Sequence, residues 1–446
     1  MNLALSFVLA SLLAPAVPAG RTVQDTTNWI DAHELEVEGQ GWSDTAATFD
    51  RLPARAKGNA PAAVWELSHS SAGIAIRFIT DSNSIDVRWT LTSKKLAMPH
   101  MPATGVSGVD CYVRDVDGAW RYVDNARPTA LENRKRFELQ RGGEILLYLP
   151  LYNGVKSMEV GVPADKSISA PPPSERSRAR PIVFYGTSIT QGACASRPGM
   201  AATAIVGRKL DVPIINLGFS GSGKMEAEMA ELVTELNPSV FVLDCIWNMS
   251  TEEVEERVGP FVERLRRDHP ETPIVLAEDS SFLDVSPTEK GRVLRERFEE
   301  LQCDGVCGLV LLPATGMLGS DGDGTVDRVH PNDLGMERQA AIFTARLRRI
   351  LAPPGLPERG TRTIGRLEDG PTGRHLSFLI SQPWNYHLCR KCGSTDGGCY
   401  PKGSVMAIRT AAAGLCSHEW DKVSLDFYRG FIEQKFPGIE IQYAKR

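Results

Sequence analysis

Short segments in which apolar and polar residues alternate fill the first third of the chain. The run Ile74-Ala75-Ile76-Arg77-Phe78-Ile79 is followed by turn residues at 81–83 and by a second alternating run at 85–89. A period of two, interrupted by turn residues, predicts antiparallel β-strands. We predict such strands at residues 34–42, 63–67, 73–80, 84–91, 108–113, 119–123, 144–152 and 157–162. A small antiparallel β-sandwich domain at residues 21–169 would bury one face of each strand.

The hydrophobic period changes after a segment rich in Pro, Ser and Arg at residues 170–180, which holds neither periodicity and is predicted to be a linker. Strand-like runs then alternate with helix-like segments. The strands are expected at 182–185, 214–217, 240–245, 274–277 and 309–312, and the helices at 201–210, 225–236, 251–267, 288–301 and 334–351. This order predicts an α/β domain at residues 181–352, with a parallel sheet covered by helices on both faces. Catalytic loops then belong at the carboxyl ends of the strands.

Length and charge narrow the functional classes. At 446 residues the chain is longer than a typical single domain, and 42% hydrophobic residues are enough to form buried cores. The formal net charge of −5 gives no reason to expect nucleic acid or an anionic membrane as a partner, because binding to either would need a concentrated basic face. The sequence sets no expectation for the oligomeric state.

Residues 1–20 (MNLALSFVLASLLAPAVPAG) carry no charged side chain and are apolar from Leu3 to Leu13. This pattern predicts a secretory signal peptide cleaved after Ala16 or Ala19, although no Lys or Arg precedes the apolar run. A buried N-terminal helix is the alternative. No other segment approaches the roughly 18 apolar residues of a membrane span. The chain is therefore expected to be secreted or periplasmic and without a membrane span.

Three residues of the α/β part form a candidate nucleophile system. Ser188 follows the strand at 182–185, where its hydroxyl can face a crevice. Asp327 precedes His330 by three residues, so its carboxylate can accept from one imidazole nitrogen while the other faces a serine. Serine at such a turn is more often a helix N-cap, and an Asp-x-x-His pair also arises by chance. The three residues gain weight only together.

Two further positions offer hydrogen-bond donors. Asn248 directly follows the strand at 240–245, where its amide can donate to a developing oxyanion, with capping of the next helix as its alternative role. Residues 216–223 (NLGFSGSG) form a glycine-rich turn after the strand at 214–217. A glycine there can offer a backbone N–H without a side chain in the way.

Four segments between residues 181 and 351 resemble, in their order along the chain, the motifs of the SGNH/GDSL hydrolases. They are the segments that contain Ser188, the glycine-rich turn, Asn248 and the Asp327–His330 pair. The resemblance implies a flavodoxin-like three-layer α/β/α fold and a mechanism that needs no metal or organic cofactor. It implies a catalytic triad made of Ser188, Asp327 and His330. It also implies an oxyanion hole made of Ser188, Gly221 and Asn248. Gly218 is the alternative to Gly221, but the five-residue offset from Asn216 favours Gly221.

The chain departs from the family pattern at two places. Gly186-Thr187-Ser188 stands where the family has Gly-Asp-Ser, and Ile246-Trp247-Asn248-Met249 stands where it has Gly-x-Asn-Asp. Neither departure removes a group that touches the reacting carbonyl. The absence of Gly-x-Ser-x-Gly around Ser188 argues against an α/β-hydrolase elbow.

Two N-terminal runs resemble the G-x-D-L-Y β-sandwich domain that precedes some SGNH esterases: Gly108-Val109-Asp110-Cys111-Tyr112, with Cys111 in place of Leu, and Tyr148-Leu149-Pro150-Leu151-Tyr152-Asn153. Two-domain proteins of this kind are similar to carbohydrate acetylesterases. The resemblance implies a secreted serine esterase that acts on short-chain, acetyl esters of saccharides. The alternatives are an acyltransferase, a longer-chain lipase or thioesterase, and a non-catalytic carbohydrate-binding protein.

Residues 218–225 (GFSGSGKM) come close to the sequence pattern of a P-loop, but Met225 stands where a Ser or Thr would have to hold Mg²⁺. ATP or GTP binding is therefore not expected.

Residues 353–446 form a C-terminal extension of unknown structure. It contains a cysteine- and histidine-rich cluster for which disulfides are favoured in an exported chain and zinc is the alternative: His387, Cys389, Cys392, Cys399, Cys416 and His418. The nine cysteines are an odd number, so not all can pair within one chain, and Cys245 is expected to be a buried thiol.

Overall fold

The computed structural model describes residues 27–280 and 286–352, and the backbone of 364–370 and 373–379. The predicted signal peptide and the cysteine- and histidine-rich cluster lie outside the described residues. In the C-terminal extension, two strands pair as an antiparallel hairpin, Ile364–Gly370 with Gly373–Leu379. Among the described helices, none combines the length and apolar composition that crossing a bilayer requires.

The N-terminal part is an antiparallel β domain, which confirms the predicted architecture. Its strands are β1 (Thr27–Asp31), β2 (Glu36–Glu38), β3 (Ala75–Thr80), β4 (Ser84–Leu91), β5 (Val109–Arg114), β6 (Trp120–Ala126), β7 (Glu132–Glu138), β8 (Gly143–Tyr148), β9 (Val155–Pro163) and β10 (Ile168–Ser169). One sheet has the order β1-β9-β4-β7, and the other β10-β3-β8-β5-β6 with β2 beside β3. Alternate side chains of both sheets share one core that includes Phe78, Trp89 and Phe137.

The structure corrects the sequence prediction at several places in this domain, and it contains β1 and β10, which the sequence did not predict. Residues 63–67 are not a strand but part of helix α1 (Ala62–Ser68), which buries Val64, Trp65 and Ser68 on one side. A second short helix of this domain is α2 (Ala103–Val106). The strand predicted at 34–42 is reduced to β2, three residues long. The pattern gave no sign of β7 (ENRKRFE), because this edge strand buries only Phe137 and exposes its charged side chains.

The second part is the predicted α/β domain, and its parallel sheet is confirmed. The strands are β11 (Ile182–Gly186), β12 (Ile214–Gly218), β13 (Val240–Asp244), β14 (Ile274–Ala277) and β15 (Leu309–Leu312), in the order β12-β11-β13-β14-β15. The main helices are α5 (Ala202–Leu210), α6 (Ala227–Val233), α7 (Thr251–Asp268), α8 (Glu289–Cys303) and α9 (Asp333–Leu351). Val183 and Tyr185 face a core shared with α6, α7 and α8, whereas Ile182 and Phe184 face one shared with α5 and α9. The three layers follow from this alternation.

The segment between the two parts is more ordered than a linker without periodicity. It contains one helical turn, α3 (Glu175–Arg178), which begins with a capping box at Ser174. Arg176 is 3% exposed and pairs with Glu38 of β2 at 2.7 Å and with Asp211 at 3.3 Å. The capping box and the buried ion pair explain why this Pro- and Ser-rich sequence is held in place.

Asp110 of β5 ties the two parts together. Its buried carboxylate accepts hydrogen bonds from Arg197 Nη1 and from the backbone N–H of Gly199, each at 2.8 Å, and from Asn125 Nδ2 at 2.7 Å. Burial raises the pKa of Asp110, and the contacts with Arg197 oppose that shift. The Arg197 guanidinium also lies over the ring of Tyr122, 3.9 Å from its centroid. The aspartate of the G-x-D motif therefore has a structural role at the interface.

We expect Asp110→Asn to lower the free energy of unfolding by roughly 3 kcal/mol, because the change leaves Arg197 without its carboxylate in a buried contact. Urea denaturation of the full chain measures this. The control is Asp117→Asn, since Asp117 pairs with Arg121 on the surface and should leave stability unchanged. Equal unfolding free energies for Asp110→Asn and wild type would contradict the assigned anchor.

Candidate active site

The site forms where three neighbouring strands end. Gly186, the last residue of β11, is level with Gly218 of β12 on one side and with Asp244 of β13 on the other. Since the strands are parallel, the loops that follow them leave the same edge of the sheet. Ser188, Gly221 and Asn248 lie on these three loops, within a few residues of the strand ends.

Ser188 is held by a very short helix, α4 (Ser188–Gln191), and is 7% exposed. The N-cap of this helix is Thr187, whose hydroxyl accepts from the Ile189 N–H at 3.3 Å. The Ser188 side chain is thus not used as the cap, which was the alternative role for it. As the first helical residue, Ser188 keeps a backbone N–H that has no acceptor within the helix.

His330 and Asp327 meet Ser188 from the loop that precedes α9. Ser188 Oγ lies 2.9 Å from His330 Nε2, and His330 Nδ1 lies 2.7 Å from Asp327 Oδ2. Asp327 Oδ1 also accepts from the backbone N–H groups of His330 and Val329, at 2.7 and 3.0 Å. The carboxylate therefore fixes both the loop and the imidazole ring, and it leaves the second ring nitrogen facing the serine.

Electrostatics keep Asp327 ionised beside the histidine. Partial burial favours its neutral form, but hydrogen bonds from the His330 N–H and ring outweigh burial and lower the pKa of Asp327. Cys194 lies close by, and burial together with the charge of Asp327 raises the pKa of its thiol to about 12. Since the thiolate is the reactive form of cysteine, this environment disfavours Cys194 as a nucleophile.

The glycine turn separates the two candidates for a backbone donor. The Gly218 N–H is already bonded to Asn216 Oδ1 at 2.9 Å, and a Cβ at Gly218 would lie 2.1 Å from the backbone nitrogen of Gln191. Gly221 is exposed, adopts φ 69°, and would have no atom outside its immediate neighbours within 4 Å of an added Cβ in the described part of the chain. Gly221 is the one of the two that faces open space.

Asn248 lies in a 3-10 turn directly after β13. Its amide nitrogen donates to the carbonyl oxygen of Ser222 at 2.6 Å, which links it to the glycine turn. An amide nitrogen carries two protons, so one remains for a ligand. The cap of helix α7 is Ser250, whose hydroxyl accepts from the Glu253 N–H, and not Asn248.

The sequence analysis missed three residues of the N-terminal domain that border this site. The His100 ring lies 6.3 Å from that of His330, Tyr152 contacts the Ser188 carbonyl, and Arg51 contacts the end of β12. Tyr152 belongs to the run at residues 148–153 that resembles the G-x-D-L-Y domain, so the sequence carried a signal for it. Nothing in the local sequence marks His100, and a fully buried arginine such as Arg51 runs against the usual surface preference of that residue.

Comparisons with known proteins agree with this architecture. A GDSL-like lipase/acylhydrolase family model matches residues 179–348, and a GxDLY model, the N-terminus of SGNH-hydrolase-type esterases, matches residues 27–168. No match was found among curated proteins.

Solved structures extend the comparison. A protein from Bacteroides ovatus described as a GDSL-like lipase is 34% identical, with a TM-score of 0.67 over 73% of this chain and 98% of that one. The salicylyl-acyltransferase SsfX3 of a tetracycline biosynthetic pathway is 19% identical, with a TM-score of 0.59 over 73% and 96%. A family two carbohydrate esterase from Cellvibrio japonicus is 14% identical, with a TM-score of 0.49 over 73% and 98%. The second likeness bears on the fold alone, and the third is too weak to bear on the substrate.

The first of these relatives is decisive, because the match covers nearly its whole length at an identity that marks common descent. The two family models also match consecutive parts of the chain in the order that the sequence predicted. The protein belongs to the GDSL-like lipase/acylhydrolase family and is a serine ester hydrolase.

Proposed function

We propose that the protein removes short acyl groups, above all acetyl, from carbohydrate esters, and that Ser188, His330 and Asp327 are its catalytic triad. One observation carries the assignment: Ser188 Oγ is 2.9 Å from His330 Nε2, whose other ring nitrogen is 2.7 Å from Asp327. These are the hydrogen-bond distances that a nucleophile, its general base and the group that orients the base require.

In the first half-reaction, Ser188 Oγ attacks the ester carbonyl carbon and its proton passes to His330 Nε2. Three donors then hold the negative oxygen of the tetrahedral intermediate: the N–H groups of Ser188 and Gly221 and the side-chain amide of Asn248. As the intermediate collapses, the bond to the alcohol oxygen breaks, and the alcohol leaves with the proton from His330. An acyl-enzyme on Ser188 remains.

Water completes the turnover. His330 takes a proton from a water molecule, the resulting hydroxide attacks the acyl carbon, and the same three donors hold the second oxyanion. When the bond to Ser188 Oγ breaks, His330 returns the proton to the serine, and the carboxylic acid is released. Asp327 stays ionised throughout and stabilises the imidazolium that forms in each half-reaction.

The surroundings of the triad support a bulky, polar alcohol as the leaving group. Gly221 faces open space, and the side chains of His330 and Asp327 are 25% and 43% exposed. His100, also exposed, adds a further polar group beside the His330 ring. A sugar hydroxyl on an extended saccharide fits such an open, polar rim. Export through the N-terminal segment would bring the enzyme to polysaccharides outside the cell or in the periplasm.

A longer acyl chain is the second candidate. Val326 and Leu334 flank the Asp327–His330 loop in sequence and are 49% and 45% exposed. Exposed aliphatic side chains next to a catalytic loop are a surface on which an apolar acyl chain could lie. Comparing acyl lengths therefore decides between the two.

We expect the wild-type chain to hydrolyse p-nitrophenyl acetate at a higher kcat/KM than p-nitrophenyl octanoate, and Ser188→Ala to lose this activity by at least about 1,000-fold. Release of acetate from acetylated xylo-oligosaccharides is the companion assay. Ser239→Ala is the matched control, since this serine bonds the Pro181 carbonyl at the opposite end of the sheet. Preference for octanoate would favour the second candidate, and full activity in Ser188→Ala would exclude the proposed nucleophile.

The pH profile tests the base. A protonated imidazole cannot accept the serine proton, so kcat/KM should fall with a slope of one along the acidic limb in which His330 becomes protonated. Asp327 adds no second proton there, because its pKa is lowered. Burial raises the pKa of Asp244, close to the site, to about 7. An Asp244→Asn variant should keep the acidic limb if His330 is the base and lose it if Asp244 is responsible.

Asn248→Ala should lower kcat by about 100-fold or more while KM changes little, because the oxyanion forms only on the way to the intermediate. Steady-state kinetics on p-nitrophenyl acetate measure both constants. Asn237→Ala serves as the control, since Asn237 accepts from Arg180 on the surface. An increase in KM at unchanged kcat would instead assign Asn248 to substrate binding.

A further inference from the structure

The loop between β8 and β9 of the N-terminal domain lies against the short helix that carries Ser188. Leu151 in this loop packs on Gly192, where an added Cβ would be 2.9 Å from Leu151 Cδ1. The Leu151 carbonyl accepts from Gln191 Nε2 at 3.0 Å. Gln191 Oε1 in turn accepts from the Ser220 N–H at 3.0 Å. The Gln191 side chain thus joins the N-terminal domain, the helix that carries Ser188 and the turn that leads to Gly221.

Tyr152, the next residue of the loop, bridges the same two segments. Its hydroxyl donates to the Ser188 carbonyl oxygen at 3.3 Å and also interacts with the Ser220 side chain. Burial raises the pKa of Tyr152, so the hydroxyl stays protonated at any working pH. The Tyr152 hydroxyl therefore lies between Ser188 and Ser220, the residue that precedes Gly221.

Arg51 holds the other end of the glycine turn. Its guanidinium donates from Nη1 to the carbonyl oxygens of Asn216 and Gly218, at 3.3 and 2.6 Å, and lies 4.7 Å from the centroid of the Phe219 ring. Within its own domain it donates to the Ser70 and Leu67 carbonyl oxygens, at 2.7 Å each.

Arg51 is 1% exposed, and among the described residues no carboxylate forms an ion pair with it, although the charge of the neighbouring Asp50 acts on it at longer range. Burial accordingly lowers the pKa of the guanidinium. Burying a guanidinium costs stability, and the four carbonyl oxygens together with the charge of Asp50 offset only part of that cost. If the role were packing alone, an apolar side chain would fill this space at a lower cost.

We propose that the N-terminal domain completes the active site, with Tyr152 and Arg51 as positioning residues that hold the turn at 216–221 against the Ser188 helix. This inference rests on the proposed function, because it assigns a task to the same oxyanion donors. A donor stabilises an oxyanion without reorganisation only when it is fixed before the reaction begins. Releasing the turn should therefore weaken binding of the tetrahedral intermediate and spare binding of the ester.

The first test compares two tyrosines of the N-terminal domain in the full chain. Tyr148, like Tyr152, donates to a carbonyl of the α/β domain, but its acceptor is Ala204 in helix α5, at 3.4 Å. We expect Tyr152→Phe to lower kcat on p-nitrophenyl acetate by about tenfold at unchanged KM, and Tyr148→Phe to change neither. The Ki of an alkyl boronic acid, which becomes tetrahedral on a serine, should rise by the same factor in Tyr152→Phe alone.

The second test compares two buried arginines. Arg77 is 0% exposed and is paired with Glu36, Glu38 and Glu144 inside the N-terminal domain. Arg51→Met should lower kcat and raise the boronate Ki, and Arg51→Lys should recover part of both, because an ammonium can still donate to some of the carbonyls. Arg77→Lys should lower the thermal midpoint without moving either constant. Should the Arg51 variants not fold, the tyrosine pair alone decides.

A purely structural role predicts lower thermal midpoints with normal kcat and boronate Ki in the folded fraction, and this result for Tyr152→Phe would overturn the inference. The Ser188→Ala variant distinguishes a failure of this inference alone from a failure of the proposed function. Loss of activity in Ser188→Ala, together with a Tyr152→Phe enzyme that behaves as wild type, would overturn this inference alone. Unchanged activity in Ser188→Ala would overturn the proposed function and this inference with it.

Discussion

The parallel register of β12, β11 and β13 is the constraint on which the site depends. Because Gly186 is level with Gly218 and Asp244, the loops after all three strands start from one line at one edge of the sheet. Without further adjustment, this pairing brings a serine, a glycine turn and an amide into the same neighbourhood. Gly186 must itself lack a side chain, since a Cβ would lie 2.2 Å from Thr190 Oγ1 and 2.5 Å from the Asp244 carbonyl.

The sheet supplies proximity, but the N-terminal domain supplies much of the rigidity. Residues 42–65 of that domain contribute Trp42, Leu52 and Trp65 to the core that α6 and α7 share with the sheet. Asp110, Arg51 and the loop around Tyr152 add buried polar contacts with the α/β domain. Interfaces of this kind fix one relative orientation, because a shift would leave buried polar groups unpaired. The two domains thus form a single structural unit around the proposed triad.

The sequence predicted the parts of this structure that local patterns determine. All five strands of the parallel sheet appeared as continuous apolar runs, and the two family resemblances rested on short motifs. The prediction was wrong at helix α1 and missed strand β7, because tertiary burial, not the hydrophobic period of the sequence, decides the conformation of these two segments. The contacts of Arg51 and Tyr152 escaped for a different reason: they join residues 36 and more than 160 positions apart, and no local pattern encodes such a pairing.

Covalent capture shows directly whether Ser188 is the nucleophile. A p-nitrophenyl phosphonate that carries a methyl group should release one equivalent of p-nitrophenol, inactivate the wild-type chain, and leave its phosphonyl mass on Ser188 in peptide mapping. If Ser188 is the nucleophile, one label is found at Ser188 and none in the Ser188→Ala variant. Inactivation with the label on another residue, or stoichiometric labelling of Ser188→Ala, would contradict it.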